Sequence, residues 1–333
     1  LDADDLSVYI GIPFCPTRCA YCSFVSQSIE RFGEFLPAYL DALLREIAHT
    51  GKLLRDSGFH IRTLYIGGGT PTTLSAPELD RLLADTKACF DLSACREFTV
   101  EAGRPDTVTE EKLAVLVSHG VNRVSVNPQT MQERTLRRIG RQHTPEDVVT
   151  MFHALREAGI PHINMDLILG LPGETAEDVR DTMEKVTALG PDDITLHALA
   201  LKRGSRLKLL MEEQHVELPS DEETRRMSEI AMAYVRKTGM HPYYLYRQGY
   251  MSGDLENVGC RTGAEGMYNI QIMEEHQTII GIGGAATTKV VDFRRKRMKS
   301  SFNAKDLVTY LRDIDIYIEK RRQLLDEAYG PQS

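Results

Sequence analysis

Val8-Tyr9-Ile10-Gly11-Ile12-Pro13-Phe14-Cys15-Pro16-Thr17-Arg18-Cys19-Ala20-Tyr21-Cys22 passes from a short apolar run into a loop that carries three cysteines. The run Val8 to Ile12 reads as a strand that stops at a turn. Runs of the same kind recur at Thr63 to Ile66, Glu97 to Glu101, Arg123 to Asn127, His162 to Leu169 and Asp193 to Leu199, separated by longer stretches with helical spacing. Leu40, Leu43, Leu44 and Ile47 form an apolar stripe that predicts a helix near Phe35 to Leu54. Thr144 before Pro145, and Thr175 before Ala176-Glu177-Asp178, read as helix N-caps. Strand-helix alternation with right-handed crossovers builds a parallel sheet, whose closed form is a TIM-type barrel. Six units are too few for the eight-stranded form. The expected core, over residues 1–200, is therefore α/β: a partial (β/α)6 TIM-type barrel.

Side-chain parity sharpens this reading. Successive strand residues face opposite sides, so Arg123, Ser125 and Asn127 share one face and Val124 and Val126 the other. Asn164 and Asp166 likewise oppose Ile163, Met165 and Leu167. A closed barrel interior is packed with branched aliphatics; polar residues on the inner face imply a lumen that holds a ligand. Beyond residue 200 a C-terminal α+β extension, 201–333, is expected to close over it. It should hold a helix at Asp221 to Thr238, antiparallel strands at His241 to Arg247, Tyr268 to Met273 and Thr278 to Ile282, and a last helix from about Asn303 to Leu324.

Composition excludes several classes. With 333 residues, 42% hydrophobic and 26% charged, the chain can bury a sizeable core and is neither disordered nor fibrous. A net charge of −8 has the wrong sign for nonspecific binding to nucleic acid, and Arg294-Arg295-Lys296-Arg297 reads as a solvated surface segment. No window approaches the roughly 20 apolar residues of a membrane span, and no signal peptide is visible, so a cytoplasmic protein is expected. The first residue is Leu1 rather than Met, which points to a piece of a longer protein.

Six cysteines are too sparse for a disulfide scaffold. Cys89, Cys95 and Cys260 are scattered and read as small buried hydrophobes. Cys15, Cys19 and Cys22 are spaced C-x3-C-x2-C directly after the first strand. Three thiolates can hold three corners of an iron-sulfur cube and leave the fourth iron open. Zinc is the alternative, although a structural site takes four ligands and no fourth lies nearby at finger spacing. The second strand ends in Gly67-Gly68-Gly69-Thr70-Pro71, where a ligand can approach the backbone closely; no lysine makes it a phosphate-binding Walker loop.

The cysteine loop with an aromatic before its last Cys, followed by the Gly-Gly-Gly-Thr-Pro strand end, resembles the radical S-adenosylmethionine superfamily. The resemblance narrows at Tyr9 to Cys15, Arg123 to Gln129, Ile139-Gly140-Arg141 and Met165 to Pro172, which look like the oxygen-independent coproporphyrinogen III dehydrogenases. Tyr244 to Gln248 and Leu255 to Gly259 look most like the HemZ-type branch. The resemblance implies a [4Fe-4S] cluster on Cys15, Cys19 and Cys22, whose open iron chelates S-adenosylmethionine, so that one electron releases a 5′-deoxyadenosyl radical. It implies Tyr21 beside the adenine and the Gly68-Gly69-Thr70 backbone at the methionyl amino group. Arg141 would face the carboxylate, with Glu101, Gln129 and Asp166 near the ribose, Ile168 and Ala198 lining the adenine pocket, and Tyr9 near the cluster. Taken singly, Glu101 and Asp166 also fit strand-end carboxylates bonded to loops, and Arg141 a surface helix cation.

The same resemblance implies oxidative decarboxylation of coproporphyrinogen III propionates to vinyl groups, giving protoporphyrinogen IX for haem biosynthesis. Its partners would be a tetrapyrrole and a one-electron donor such as flavodoxin or ferredoxin. Arg18, Lys202, Arg203 and Arg206 are candidates to meet the propionates, and Gly281-Ile282-Gly283-Gly284-Ala285 resembles the glycine-rich segment that closes the family's barrel. One departure is Phe24, which stands where the well-characterised dehydrogenases carry a fourth, non-ligating cysteine. That leaves open a haem chaperone of the HemW type and a radical methyltransferase acting on a tetrapyrrole.

Overall fold

Parallel strands buried on both faces read as near-continuous apolar runs, and Asp5–Ile12 has that character, with only Tyr9 partly exposed. In the computed structural model, which describes residues 4–22, 26–200, 206–246, 255–262, 267–274, 277–292 and 297–329, this is strand β1. It is followed by β2 (His60–Gly68), β3 (Glu97–Glu101), β4 (Arg123–Gln129), β5 (His162–Leu169) and β6 (Asp193–Ala198). The six pair in chain order and in parallel. The helices between them include α1 (Leu36–Ser57), α2 (Ala76–Cys89), α3 (Glu110–Ser118), α4 (Pro145–Glu157) and α5 (Ala176–Leu189). The fold is thus the partial TIM-type barrel expected, continued by antiparallel strands and helices.

Local chemistry explains the helix limits. Ser75, Thr144 and Thr175 each form reciprocal capping boxes with Glu78, Asp147 and Asp178, worth about 1 kcal/mol per cap. Helix α1 ends where Gly58 takes φ 74°, a left-handed conformation that costs glycine little. Its buried face carries Leu40, Leu43, Leu44 and Ile47, which join a contiguous core between sheet and helices; each such aliphatic contributes about 1.5–3 kcal/mol when fully buried.

The C-terminal part departs from expectation in three places. Tyr268 to Met273 lies in a helix, not a strand. After α6 (Asp221–Lys237) and β7 (His241–Tyr246) come β8 (Asn257–Arg261) and then α7 (Met267–Glu274). The Glu97 carboxylate accepts the first two amides of α7, from Met267 at 2.9 Å and Tyr268 at 3.3 Å. A partner 170 residues away thus settles a run too short for periodicity to classify. Second, β9 (Thr278–Ile282) runs parallel to β1, opposite Leu6 to Ile10, and only its other edge meets an antiparallel neighbour, β10 (Thr287–Asp292). Third, the expected last helix is two, Leu307–Arg312 and α8 (Ile314–Tyr329); Asp306 starts the first by accepting the Thr309 amide at 2.7 Å.

With β11 (Arg297–Phe302), the sheet of described residues runs β11-β10-β9-β1-β2-β3-β4-β5-β6-β8-β7. Strands from the C-terminal third therefore extend both edges of the six-stranded core. Arg247, Gln248 and residues 294–296 lie outside the described residues, as do Phe24, Lys202 and Arg203. No helix among the described residues is long and apolar enough to cross a membrane.

Candidate active site

Strand ends and inward-facing side chains enclose one cavity of about 490 Å³. Cys15, Cys19, Cys22, Tyr21, Gly68, Gly69, Thr70, Glu101, Gln129, Arg141, Asp166, Ile168, Ala198 and Tyr9 all line it. The parity argument holds: Arg123, Ser125 and Asn127 from β4, and Asn164 and Asp166 from β5, face the same space. Arg18 and Arg206 do not. They line a separate cleft behind the cysteine loop, together with Arg137 and Glu30.

The cysteine loop is stitched at several points. Ala20 donates its amide to the Ile139 carbonyl at 3.1 Å and accepts from the Leu207 amide at 3.1 Å. Thr70 donates to Cys15 Sγ at 3.4 Å. Arg141, 6% exposed and so no surface cation, donates to the Tyr21 hydroxyl at 2.9 Å and to the Gly103 carbonyl at 2.7 Å. Burial raises the Cys15 thiol above its ordinary pKa. Among the described residues no group of three His, Cys, Asp or Glu side chains is placed to hold a single metal ion. A cube instead takes each thiolate on a different iron, so a trio of thiols on one loop suits it chemically.

The glycine strand end is built for close approach. The amides of Gly69 and Thr70 donate to the Ile12 and Phe14 carbonyls, at 2.8 and 2.7 Å. These two N–H donors are thus engaged within the protein, so the strand end is not the N–H cradle of a phosphate-binding loop. A Cβ at Gly69 would stand 2.6 Å from the Phe14 carbonyl oxygen. Gly69→Ala should therefore push Phe14, and with it Cys15, out of place; the expected result is poor iron retention after reconstitution, read as iron per chain.

Gln129 also has features suited to a ligand contact. It holds φ 69° without being glycine, and its buried Oε1 has no hydrogen-bond partner. Strain of this kind, of order 1–3 kcal/mol, clusters at functional sites. An acceptor in that state, facing the cavity, is suited to a ligand hydroxyl.

Deeper in the lumen the candidates Tyr9, Glu101 and Asp166 meet Tyr65 and His197, which sequence reasoning did not single out. Tyr65 stacks on Tyr268 at 4.4 Å and Tyr9 lies 6.0 Å from Tyr65, centroid to centroid. Tyr65 donates to Glu101, and His197 links the Tyr246 hydroxyl, at 3.1 Å, to Asp166, at 3.5 Å. Burial would raise the Asp166 pKa, but hydrogen bonds from His197, Asn164 and Thr195 hold it below the usual range. Glu101 goes the other way. Burial, reinforced by the Asp166 charge, lifts it to about 7 against the opposing pull of Tyr65, Arg123 and the Gly68 amide.

Between pH 4.5 and about 7 the unfolded chain has released the Glu101 proton and the folded chain still holds it. Stability must therefore fall as pH rises through that window. Glu101→Gln removes this contribution, so its stability relative to the parent should improve by about 2–3 kcal/mol from pH 4.5 to pH 7.5 in urea unfolding. Glu174, also raised to about 7 by burial, cancels in the comparison. A difference independent of pH would show that Glu101 titrates normally.

Glycine strand end, thiol loop and partial barrel together define a class of protein. The radical SAM superfamily pattern matches residues 9–186, more than half of the chain, and the chain belongs to that superfamily; its cofactors are a [4Fe-4S] cluster and S-adenosylmethionine. Within it the chain is of the HemN/HemZ type. It is 42% identical over 328 residues to the oxygen-independent coproporphyrinogen-III oxidase-like protein HemZ of Bacillus subtilis, covering 98% of this chain and 65% of that relative. The heme chaperone HemW of Lactococcus lactis is 33% identical over 295 residues, 88% of this chain and 72% of the relative. The coproporphyrinogen III oxidase HemN of Escherichia coli shares the fold, with a TM-score of 0.78 at 23% identity over 98% of this chain and 75% of that one.

Proposed function

We propose that this protein removes the propionate carboxyls of coproporphyrinogen III oxidatively, leaving vinyl groups. The observation that carries this reading is the continuity of one cavity, from the three thiols and the glycine strand end into a lumen walled by Tyr9, Tyr65, Tyr244, Tyr246 and Tyr268. Tyrosine faces suit the individual pyrrole rings, and their hydroxyls can donate to carboxylates. Similarity to the HemZ relative along nearly the whole chain supports it.

In this reading Cys15, Cys19 and Cys22 hold the cluster, and the Gly68-Gly69-Thr70 backbone, Gln129, Arg141 and Asp166 orient S-adenosylmethionine, with Tyr21, Ile168 and Ala198 around the adenine. When bound, the pair supplies a 5′-deoxyadenosyl radical. The conversion would take one hydrogen atom, one electron and carbon dioxide from each propionate and leave the two side-chain carbons as a vinyl group, the hydrogen atom going to that radical and the electron to a one-electron acceptor. Tyr9 and the other lumen side chains exclude water from the radical. The reducing electron would come from a small carrier such as flavodoxin or ferredoxin.

The test is anaerobic incubation of reconstituted, reduced protein with coproporphyrinogen III and S-adenosylmethionine. Mono- and divinyl products beside 5′-deoxyadenosine are expected. Deoxyadenosine without vinyl products rejects this substrate. Tight haem binding without turnover would favour a chaperone role, and labelled methyl transfer a methyltransferase.

A further inference from the structure

Arg104 has no part in the roles above. It follows β3, is 2% exposed and lines the cavity beside the cysteine loop. Its Nη1 donates to the Thr17 hydroxyl at 3.1 Å and carbonyl at 3.3 Å, and reaches Cys19 Sγ at 3.9 Å. On the opposite edge Nε and Nη2 donate to the two Asp106 oxygens, at 3.2 and 3.3 Å. Thr17 lies midway between Cys15 and Cys19 in the chain, so Nη1, gripping its hydroxyl and carbonyl while the fork of Nε and Nη2 is held by Asp106, fixes the path of the loop.

The guanidinium is also a permanent charge, and it stands in contact with the Cys19 sulfur. Charge and hydrogen bonds at cluster sulfurs set the reduction potential. Reduction adds one negative charge, so a buried cation in contact with a ligand sulfur favours the reduced state, more strongly in a low-dielectric site than in water. Asp106, with 24% of its side chain exposed, offsets part of that charge.

We propose that Arg104 is a positioning residue that clamps the cysteine loop through Thr17 and raises the reduction potential of the cluster through its charge at Cys19. The proposal rests on Cys19 as a cluster ligand. It makes two predictions of opposite sign. Arg104→Gln removes the charge and should lower the potential; Asp106→Asn removes the offset and one of the two acceptors on that edge, keeps the contacts of Nη1 to Thr17 and Cys19, and should raise it.

The experiment is a redox titration of reconstituted protein, followed by electron paramagnetic resonance without S-adenosylmethionine, with iron counted in each sample. For Arg104→Gln the equilibrium should move at least tenfold against reduction, equivalent to 59 mV for one electron. Arg104→Lys should recover more of the potential than of the iron retention, because it keeps the charge and loses the fork. If the Arg104 variants bind no iron, Asp106→Asn alone decides: an unchanged or lower potential overturns the proposal. Loaded variants that all titrate like the parent overturn it too, whereas a parent chain that takes up no iron would instead overturn the assignment of the thiols.

Discussion

Alanine in place of Cys15, Cys19 or Cys22, one at a time, is expected to abolish 5′-deoxyadenosine formation. Loss of an outer hydrogen-bond partner of a metal ligand typically costs 10–100-fold, and loss of a ligand itself should exceed that. The remaining thiols cannot rescue the site. Cys260 is fully buried, Cys95 is pushed up to about 11 by burial while its thiol donates to the Glu97 carbonyl at 3.4 Å, and neither lines the cavity. Cys95→Ala and Cys260→Ala should thus keep full iron content and turnover, with a stability loss as their only effect. The measurement is iron and sulfide per chain together with deoxyadenosine by chromatography. Normal turnover in any of the three loop variants would remove the cluster from the proposed site.

The contrast between these two sets of cysteines was legible in the sequence because spacing on one loop is local information. So was the lumen, since alternation along β4 and β5 assigns Ser125, Asn127, Asn164 and Asp166 to one face. Tyr65 and His197 follow the same rule on β2 and β6, in phase with Thr63 and Thr195, and that parity could have found them. Other residues left no such trace. Arg104 sits in a loop, where nothing periodic tells which way a side chain points. Helix α7 depends on Glu97, and its lumen residues Tyr268, Asn269, Ile272 and Met273 become visible only once that capping contact exists. Glu46 offered a partial clue: it stands three residues after Leu43 and next to Ile47, on the buried face of α1.

That position makes Glu46 the centre of a second large effect. Arg321 of α8 pairs with Glu46, and both side chains are essentially inaccessible, at 1% and 0%. Arg321 also donates to the Gly281 carbonyl at 2.6 Å, Thr50 at 3.2 Å and Thr288 at 3.3 Å. Glu46 accepts from the Gly283 amide at 2.9 Å, the Asn303 amide group at 2.8 Å and the Tyr310 hydroxyl at 2.6 Å. One ion pair thereby fastens α1, the glycine-rich end of β9 and the last helices to one another, beside the strand that leads into the cysteine loop. Removing either partner strands a charge in the interior, and Glu46→Gln or Arg321→Met should each cost about 3–5 kcal/mol. Replacing both by apolar residues should cost much less than the sum, because no unpaired charge remains. On the same helix the exposed pair Arg322 and Glu319, also joined by a short hydrogen bond at 2.6 Å, should contribute little, because water screens it. Urea unfolding of the two single variants, the double variant, Glu319→Gln and Arg322→Met measures this directly. Single substitutions at Glu46 and Arg321 no more costly than those at the surface pair would mean that water reaches the ion pair, and that packing alone holds β9 beside β1.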